Sequence, residues 1–140
     1  MQNSLKTVGM IGIGIMGSAM AANLVKAGFT VYGTDPAAAA RSRHQRNGGI
    51  VCTNATEVAQ HARLVVLSLP SVVALDQVCT ELIAAKPKGM IAAEVSTLPV
   101  DAKERARDRL SAVNSESGLE QIGRHCRPHD SHSDHASRLE

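Results

Sequence analysis

The fold of this chain is decided by the stretch MIGIGIMG, residues 10–17 of 140. It places glycines at positions 12, 14 and 17, directly after a short apolar run at residues 6–11 and directly before a helical pattern. A G-x-G-x-x-G spacing is common by itself, but between a strand and a helix it is typical of a loop that binds the pyrophosphate of a dinucleotide. Gly12 permits the tight turn, Gly14 lets the pyrophosphate approach the backbone, and Gly17 lets the helix pack closely on the strand.

Outward from this loop, strand-like and helix-like patterns alternate along the chain. Strands are predicted at residues 6–11, 29–35, 50–52, 63–70 and 90–95, because these runs are short and apolar or β-branched. The first helix is predicted after the glycine loop, where Met16, Met20 and Leu24 form a stripe that ends before Gly28. The second is predicted to start with Pro36 in its first turn and to run to the glycines at 48 and 49. Three more are predicted at residues 55–62, 72–85 and 99–110.

This alternation predicts an α/β fold with a doubly wound parallel sheet of about five strands, of the Rossmann type. Buried strands that alternate with helices form parallel sheets that are covered on both faces. The dinucleotide-binding domain is predicted to span residues 1–112. Residues 113–140 are polar and rich in histidine, with few large apolar residues, so a disordered C-terminal tail is predicted there.

The cofactor preference is predicted from Asp35, at the end of the second predicted strand. An acidic residue about 20 residues beyond the glycine loop can accept hydrogen bonds from both ribose hydroxyls of NAD, and it would repel the 2′-phosphate of NADP. Arg41 and Arg43 could favour NADP in part, although we interpret them as solvated residues of the second helix. NAD is therefore the predicted cofactor, with NADP as the alternative. The simpler interpretation is that the glycines only shape a turn and Asp35 only caps a helix.

Composition limits the other functions that the chain could have. A formal charge of +2 is too balanced to indicate a nucleic acid or an anionic membrane as partner. The three cysteines show no CxxC spacing, so a cytoplasmic location is predicted. Four glycines interrupt the apolar run at residues 8–25, which argues against a signal peptide. No apolar run is long enough to cross a bilayer.

Three segments resemble the β-hydroxyacid dehydrogenases, the family that includes 3-hydroxyisobutyrate dehydrogenase and tartronate semialdehyde reductase and is related to 6-phosphogluconate dehydrogenase. They are VGMIGIGIMGSAMAANLVKAG at residues 8–28, VVLSLPS at 65–71 and EVSTLP at 94–99. The first has Met16 before the last glycine, as in the family's G-x-G-x-M-G variant. The second is similar to a loop whose Leu-Pro lies along the cofactor. The third is similar to the family's D-x-S-T-x-x-P motif, with Glu94 in place of the aspartate.

The resemblance implies an NAD(P)-dependent oxidoreductase that acts on the CH–OH group of 3-hydroxy acids. It places Ser96 and Thr97 beside the nicotinamide and the substrate, although both could instead cap the helix that follows. The predicted substrate-binding residue is Ser96. The predicted cofactor-binding residues are Gly12, Ile13, Gly14, Ile15, Met16, Gly17, Asp35, Leu69, Pro70 and Thr97. No catalytic residue and no metal ligand is predicted.

The resemblance ends near residue 113. The family continues with a sixth strand, a D-A-P-V-S-G-G-like substrate loop and a helical domain whose lysine is the acid/base of hydride transfer, and none of these follows here. Lys103 is the last lysine and comes too early for that role. Hydride transfer from an alcohol needs a group that takes the hydroxyl proton. The chain is therefore predicted to be a truncated, cofactor-binding portion that is inactive alone.

The tail has two further interpretations. Our hypothesis is a frameshift or premature junction near Val113, because the composition changes abruptly there. The alternative is a metal site, for which Pro128 and the neighbouring serines disfavour the required helix. Its ligands would be His125, His129, His132 and His135.

Three functional hypotheses follow. The first is the NAD-binding portion of a 3-hydroxyacid dehydrogenase-like oxidoreductase. The second is a non-catalytic nucleotide-binding or partner module that pairs with a full-length relative, as a homo- or hetero-oligomer, through the edge of the fifth strand. The third is an enzyme whose substrate domain is on another chain, which nothing in the sequence favours. The substrate itself is not predicted.

Overall fold

The computed structural model describes residues 6–115, in which five strands alternate with five helices. The strands are β1 (Thr7–Ile11), β2 (Thr30–Thr34), β3 (Ile50–Val51), β4 (Leu64–Leu67) and β5 (Ile91–Glu94). The helices are α1 (Ile15–Lys26), α2 (Ala38–Arg46), α3 (Ala55–His61), α4 (Val72–Ala85) and α5 (Val100–Ser115). The predicted order of elements is confirmed. The predictions that concern residues 116–140, including the histidine-rich segment, lie outside the described residues.

The five strands form one parallel sheet in the order β3-β2-β1-β4-β5. The chain builds the sheet outward from β1 to β3, then crosses back and continues on the other side of β1 with β4 and β5. This is the doubly wound α/β arrangement that the sequence predicted. The strand order reverses between β1 and β4, so their carboxyl ends flank the crevice where open α/β sheets bind ligands.

Two apolar layers cover the sheet. The layer under α1 and α2 contains the buried residues Met10, Ile13, Ala21, Val31 and Ala40. The layer under α3, α4 and α5 includes the buried residues Ile11, Val58, Val65, Leu67, Leu75, Cys79, Leu82 and Ala106. Neighbouring residues of β1 therefore enter opposite layers, as expected for a central strand that is buried on both faces.

The end of α1 follows the predicted stop signal. Gly28 has a φ of 88°, and its N–H donates to the carbonyl of Val25 at 3.0 Å. The N–H of Phe29 donates to the carbonyl of Leu24 at 3.0 Å. This pair of bonds closes a helix when the residue after it is left-handed, and glycine adopts that conformation without steric cost.

The predicted stripe of α1 is helical, and Met16 at its start is 69% exposed. Two local predictions were wrong. Pro36 was predicted in the first turn of α2, which instead begins at Ala38, because the Asp35 carboxylate accepts the N–H of Ala37 at 2.8 Å and turns the chain first. The last helix was predicted to end at residue 110, but α5 continues to Ser115.

None of the helices in the described part of the chain is both long enough and apolar enough to span a membrane.

His44 lies on α2 and is a buried polar residue that the sequence did not single out, with only 1% of its surface exposed. Its imidazole occupies the space that side chains at Gly33 and Gly49 would fill, and its Nε2 lies 3.2 Å from the carbonyl oxygen of Val31. Burial lowers the pKa of His44 below its ordinary value, and the backbone hydrogen bonds of Val31 and Ile50 offset this only in part. The neutral imidazole is therefore the form that the fold favours.

We expect the fold to lose stability below about pH 6.5 through His44. Its pKa is lower in the folded chain than the 6.5 of an exposed histidine, so the unfolded chain binds the proton more readily. The stabilising contribution is complete above pH 6.5 and is lost as the pH falls toward the folded pKa, with a slope of up to about 1.4 kcal/mol per pH unit. Urea unfolding of the wild type and of His44→Gln between pH 7.5 and 5 measures this. Identical pH slopes in the two proteins would contradict it.

The packing of the His44 imidazole against Gly49 also predicts a steric effect at Gly49. A Cβ at this position would overlap the imidazole of His44, so Gly49→Ala should lower the free energy of unfolding by about 1–3 kcal/mol. Equilibrium unfolding in urea gives this difference. In a His44→Ala background the same substitution should cost far less, because the ring that it meets is gone. An equal cost in both backgrounds would show that the ring is not the cause.

Candidate functional site

Three loops meet at the carboxyl edge of the sheet. They follow β1, β4 and β5, and they span residues 12–14, 68–71 and 95–99. Parallel strands place these ends side by side, and β1 and β4 flank the point where the strand order reverses. Every residue predicted to contact a cofactor or substrate lies on these loops, in the first turn of α1, or at the end of β2.

The three glycines of the first loop have different surroundings. Gly12 has a φ of 88°, and a Cβ there would overlap the carbonyl of Ser68, so the turn presses directly on the end of β4. A Cβ at Gly17 would overlap the carbonyl of Gly12, so α1 starts in contact with the loop itself. Gly14 is exposed, and a Cβ there would meet no atom within 4 Å. Two glycines therefore allow close packing, and the third leaves its backbone open to a ligand.

The first turn of α1 begins at this open position. Gly14 is the N-cap, and it makes no side-chain capping hydrogen bond. The first turn contains no acidic residue, and the first intrahelical bond runs from the Ser18 N–H to the Gly14 carbonyl. The N–H groups of Ile15, Met16 and Gly17 precede it and can receive an acceptor from outside the helix. With the partial positive charge of a helix N-terminus, this geometry suits an anion such as a phosphate.

Asp35 follows β2 and lies against the glycine loop. Its Oδ2 accepts the N–H of Ile13 at 3.0 Å, and its Oδ1 accepts the N–H of Ala37 at 2.8 Å. The carboxylate does not cap α2, whose N-cap is Ala37, so that part of the simpler interpretation does not hold. Each carboxylate oxygen has two acceptor sites, so Asp35 can still accept from a ligand.

The prediction that Arg41 and Arg43 are solvated residues of α2 was wrong. The Nη1 atom of Arg41 donates to the carbonyl oxygens of Asp35 at 2.6 Å and of Pro36 at 2.8 Å. The Nη2 atom of Arg43 donates to the carbonyl of Ile13 at 3.3 Å, and its Nε is buried without a hydrogen-bond partner in the described chain. Both guanidinium groups therefore fold back toward the loops. Arg41 binds carbonyls that follow β2, and Arg43 binds a carbonyl of the glycine loop that follows β1.

The loops after β4 and β5 are joined through Ser96, which is 8% exposed. Its Oγ accepts the N–H of Leu69 at 2.7 Å, so the hydroxyl holds the β4 loop rather than standing free in the crevice. Leu69 is half-buried, and Pro70 and Thr97 are exposed at the same edge. The structure thus brings the predicted residues of both loops together.

Glu94 and Lys103 form an ion pair beside Ser96 that the sequence did not indicate. The Lys103 Nζ lies 2.9 Å from Glu94 Oε2, and it donates to the carbonyl of Ser96 at 2.5 Å. Burial raises the pKa of Glu94, but the Ser96 side chain, Lys103 and the Ser96 N–H outweigh it, so the pKa lies below its ordinary value. One feature of the sequence could have pointed to this pair, namely Glu94 in place of the family's aspartate. The longer glutamate side chain reaches Lys103 on α5.

Other reactive side chains do not form a second site in the described part of the chain. Burial is the main cause that raises the pKa of Cys52, to about 11, and the pKa of Cys79 is also raised by burial. A thiol that stays protonated is a poor nucleophile. Residues 6–115 contain no group of three metal-binding side chains, and the histidines from His125 onward lie outside that range.

Comparison with known proteins agrees with this geometry. Residues 7–121 match the family model of the NAD binding domain of 6-phosphogluconate dehydrogenase. A probable 3-hydroxyisobutyrate dehydrogenase of Mycobacterium bovis is 36% identical over 101 residues, which are 71% of this chain and 34% of that protein. A 2-(hydroxymethyl)glutarate dehydrogenase of Eubacterium barkeri is 30% identical over 126 residues, which are 87% of this chain and 40% of that protein. The chain spans about a third of the length of these relatives.

Solved structures give the same result. The Mycobacterium tuberculosis 3-hydroxyisobutyrate dehydrogenase with L-serine superposes with a TM-score of 0.75 and 30% identity, over 78% of this chain and 38% of that one. An imine reductase from a Pseudomonas species shares the fold, with a TM-score of 0.70 and 23% identity over 76% of this chain and 37% of that one. The chain therefore belongs to the β-hydroxyacid dehydrogenase family, of which it carries the N-terminal, NAD-binding part.

Proposed function

We propose that the chain binds NAD at the carboxyl edge of its sheet, with the pyrophosphate on the glycine loop. The observation that carries this proposal is the open backbone at Gly14 together with the uncapped first turn of α1. An unpaired N–H row at a helix N-terminus and a backbone without Cβ are what a pyrophosphate needs. The contacts with the pyrophosphate and the adjacent sugars would come from Gly12, Ile13, Gly14, Ile15, Met16 and Gly17.

The orientation of the dinucleotide follows from the order of the strands. Asp35 lies at the β2 side of the glycine loop and would accept the ribose hydroxyls of the adenosine half. The nicotinamide half would then extend to the other side, over the loops of β4 and β5, where Leu69, Pro70 and Thr97 lie. The bound cofactor supplies the hydride chemistry. The residues of this chain would bind and orient it.

NAD is favoured over NADP by the charges around Asp35. The 2′-phosphate of NADP would stand next to the Asp35 carboxylate, and two adjacent negative charges repel each other. Arg41 is held beside the end of β2, because its Nη1 donates to two backbone carbonyls there. Arg43 makes one longer bond to Ile13, and it is the residue that would support the alternative, NADP.

The substrate class that we propose is a small 3-hydroxy acid. The names of the relatives, and the L-serine in the structure of one of them, indicate this class. Ser96 was predicted to contact the substrate, and its hydroxyl accepts the N–H of Leu69. A serine hydroxyl has two acceptor sites, so this bond leaves one for a ligand. We therefore propose that Ser96 contacts the substrate and that Thr97 faces the nicotinamide.

Turnover would need an acid/base group that we do not assign among residues 6–115. Lys103, on α5 beside the proposed nicotinamide end, is paired with Glu94 and bonded to Ser96. We therefore propose that the described residues form the cofactor half of a dehydrogenase, and that catalysis depends on a group beyond them. The free, buried thiols of Cys52 and Cys79 support a cytoplasmic location.

One observation favours the second candidate, a module that pairs with a copy of itself or with a full-length relative. Within residues 6–115, β5 has no neighbour on its outer side, and its residues Ile91 and the adjacent Val95 are 57% and 48% exposed. An unpaired strand edge with apolar side chains can pair with another chain. Such pairing is compatible with cofactor binding.

We expect the full chain to bind NADH and Gly14→Val to weaken binding by at least about tenfold, because the new side chain would stand where the pyrophosphate approaches. The fold should persist, since a Cβ at Gly14 meets nothing within 4 Å. Ala19→Val adds similar bulk on the exposed side of the same helix and is the matched control. Nicotinamide fluorescence measures both affinities. Equal affinity of Gly14→Val and wild type would sink the proposed site.

We also expect NADH to bind at least about tenfold more tightly than NADPH, because of the Asp35 carboxylate. Asp35→Ser should weaken NADH binding and narrow this ratio, since the repulsion is removed. Titration of the wild type and of Asp35→Ser with NADH and NADPH gives the ratio of the two affinities in each protein. A wild-type preference for NADPH would reject the NAD assignment and point to Arg43.

A further inference from the structure

The carboxyl end of β5 is held by a compact charged cluster. Ser96 donates its N–H to Glu94 Oε1 at 2.7 Å, and Lys103 on α5 bridges Glu94 Oε2 at 2.9 Å and the Ser96 carbonyl at 2.5 Å. The Glu94 carboxylate is largely buried, with 15% of its side chain exposed. One ammonium group therefore ties the helix, the strand and the loop between them together. The Lys103–Glu94 contact is an ion pair without hydrogen-bond geometry. The two hydrogen bonds made by the Ser96 backbone are charge-assisted, and such bonds are stronger than neutral ones.

This cluster is continuous with the glycine loop. The Ser96 Oγ accepts the Leu69 N–H at 2.7 Å, which fixes the β4 loop to the β5 loop. The preceding residue, Ser68, donates its N–H to the Ile11 carbonyl at 2.9 Å, and its own carbonyl lies directly against Gly12. A chain of direct contacts thus runs from Lys103 through Ser96 and the β4 loop to the turn at Gly12.

We propose that the Glu94–Lys103 pair is a clamp that positions the β4 and β5 loops for the nicotinamide half of the dinucleotide. Glu94 and Lys103 are positioning residues that hold Ser96. Ser96 in turn holds the β4 loop, because its hydroxyl accepts the N–H of Leu69. This inference rests on the proposed function, because the ligand that the loops serve is NAD.

The clamp should act on one half of the cofactor only. Asp35 and its bond to Ile13 organise the adenosine end, and β2 stands three strand spacings from β5 in the sheet, or roughly 14 Å. Loss of the clamp leaves that end unchanged. The nicotinamide end, which lies over Leu69 and Thr97, loses its fixed geometry and with it the benefit of preorganisation.

The test compares Lys103→Met with Arg105→Met in the full 140-residue chain. Both substitutions remove a cation from α5, but Arg105 pairs with exposed Asp101 at 2.7 Å and not with Glu94 or Ser96. Dissociation constants are measured for NADH and for ADP-ribose, which lacks the nicotinamide. We expect Lys103→Met to weaken NADH binding by about tenfold and to leave ADP-ribose within about twofold. Arg105→Met should change neither affinity.

Conservative variants separate positioning from general damage to the fold. Lys103→Arg keeps the charge and should retain most of the NADH affinity. Glu94→Asp keeps the charge but shortens the side chain, and should weaken NADH binding while sparing ADP-ribose. If Lys103→Met weakens the binding of NADH and ADP-ribose equally, or changes neither affinity, the clamp is refuted. The proposed function would stand in that case, because the chain would still bind NAD.

Amide hydrogen exchange tests the clamp without any ligand. The N–H of Leu69 should exchange faster in Lys103→Met than in Arg105→Met, because its acceptor Ser96 is no longer held. If the wild type binds neither NADH nor ADP-ribose, the proposed function fails. The clamp is then judged by this exchange alone, and equal rates at Leu69 in the two variants would overturn it.

Discussion

The close approach of the turn at Gly12 to the carbonyl of Ser68 is the constraint on which the rest of the ligand-facing edge depends. It requires a left-handed residue without a Cβ, and it brings the β1 loop onto the end of β4. Gly17 then lets α1 start directly above the Gly12 carbonyl. On the other side, the bond from Leu69 to Ser96 extends the contact to β5. Three loops that are far apart in sequence therefore form one backbone surface.

The two ends of this surface are organised by the same device. At the end of β2, Asp35 accepts the N–H of the residue two positions later, and its other oxygen holds the glycine loop. At the end of β5, Glu94 also accepts the N–H two positions later, and its other oxygen meets Lys103. Each acid turns the chain away from the strand and ties it to a neighbouring element. The first carboxylate can still serve a ligand, while the second is taken up by an ammonium group.

Most of the fold could be predicted because its signals are local. Apolar runs and helical patterns identify the elements, and the glycine loop with Asp35 identifies their relation in the first βαβ unit. The errors occur where contacts with distant residues decide the conformation, because a local pattern does not contain those contacts. Pro36 suits a first helical turn but is preceded by an aspartate whose carboxylate accepts the N–H of Ala37 and turns the chain. Arg41 and Arg43 have the composition of a solvated face, yet Arg41 binds a carbonyl that follows β2 and Arg43 binds a carbonyl of the glycine loop.

By itself, the sequence determined the strand and helix order, the doubly wound sheet and the edge where a dinucleotide would bind. Periodicity and glycine spacing act over a few residues, so one chain is enough to read them. Only the tertiary structure decided that Ser96 joins two loops, that Glu94 pairs with Lys103, and that His44 is buried between two glycines. These contacts join residues that are brought together by packing of the sheet and helices. Their energies depend on burial and distance, which no local pattern encodes.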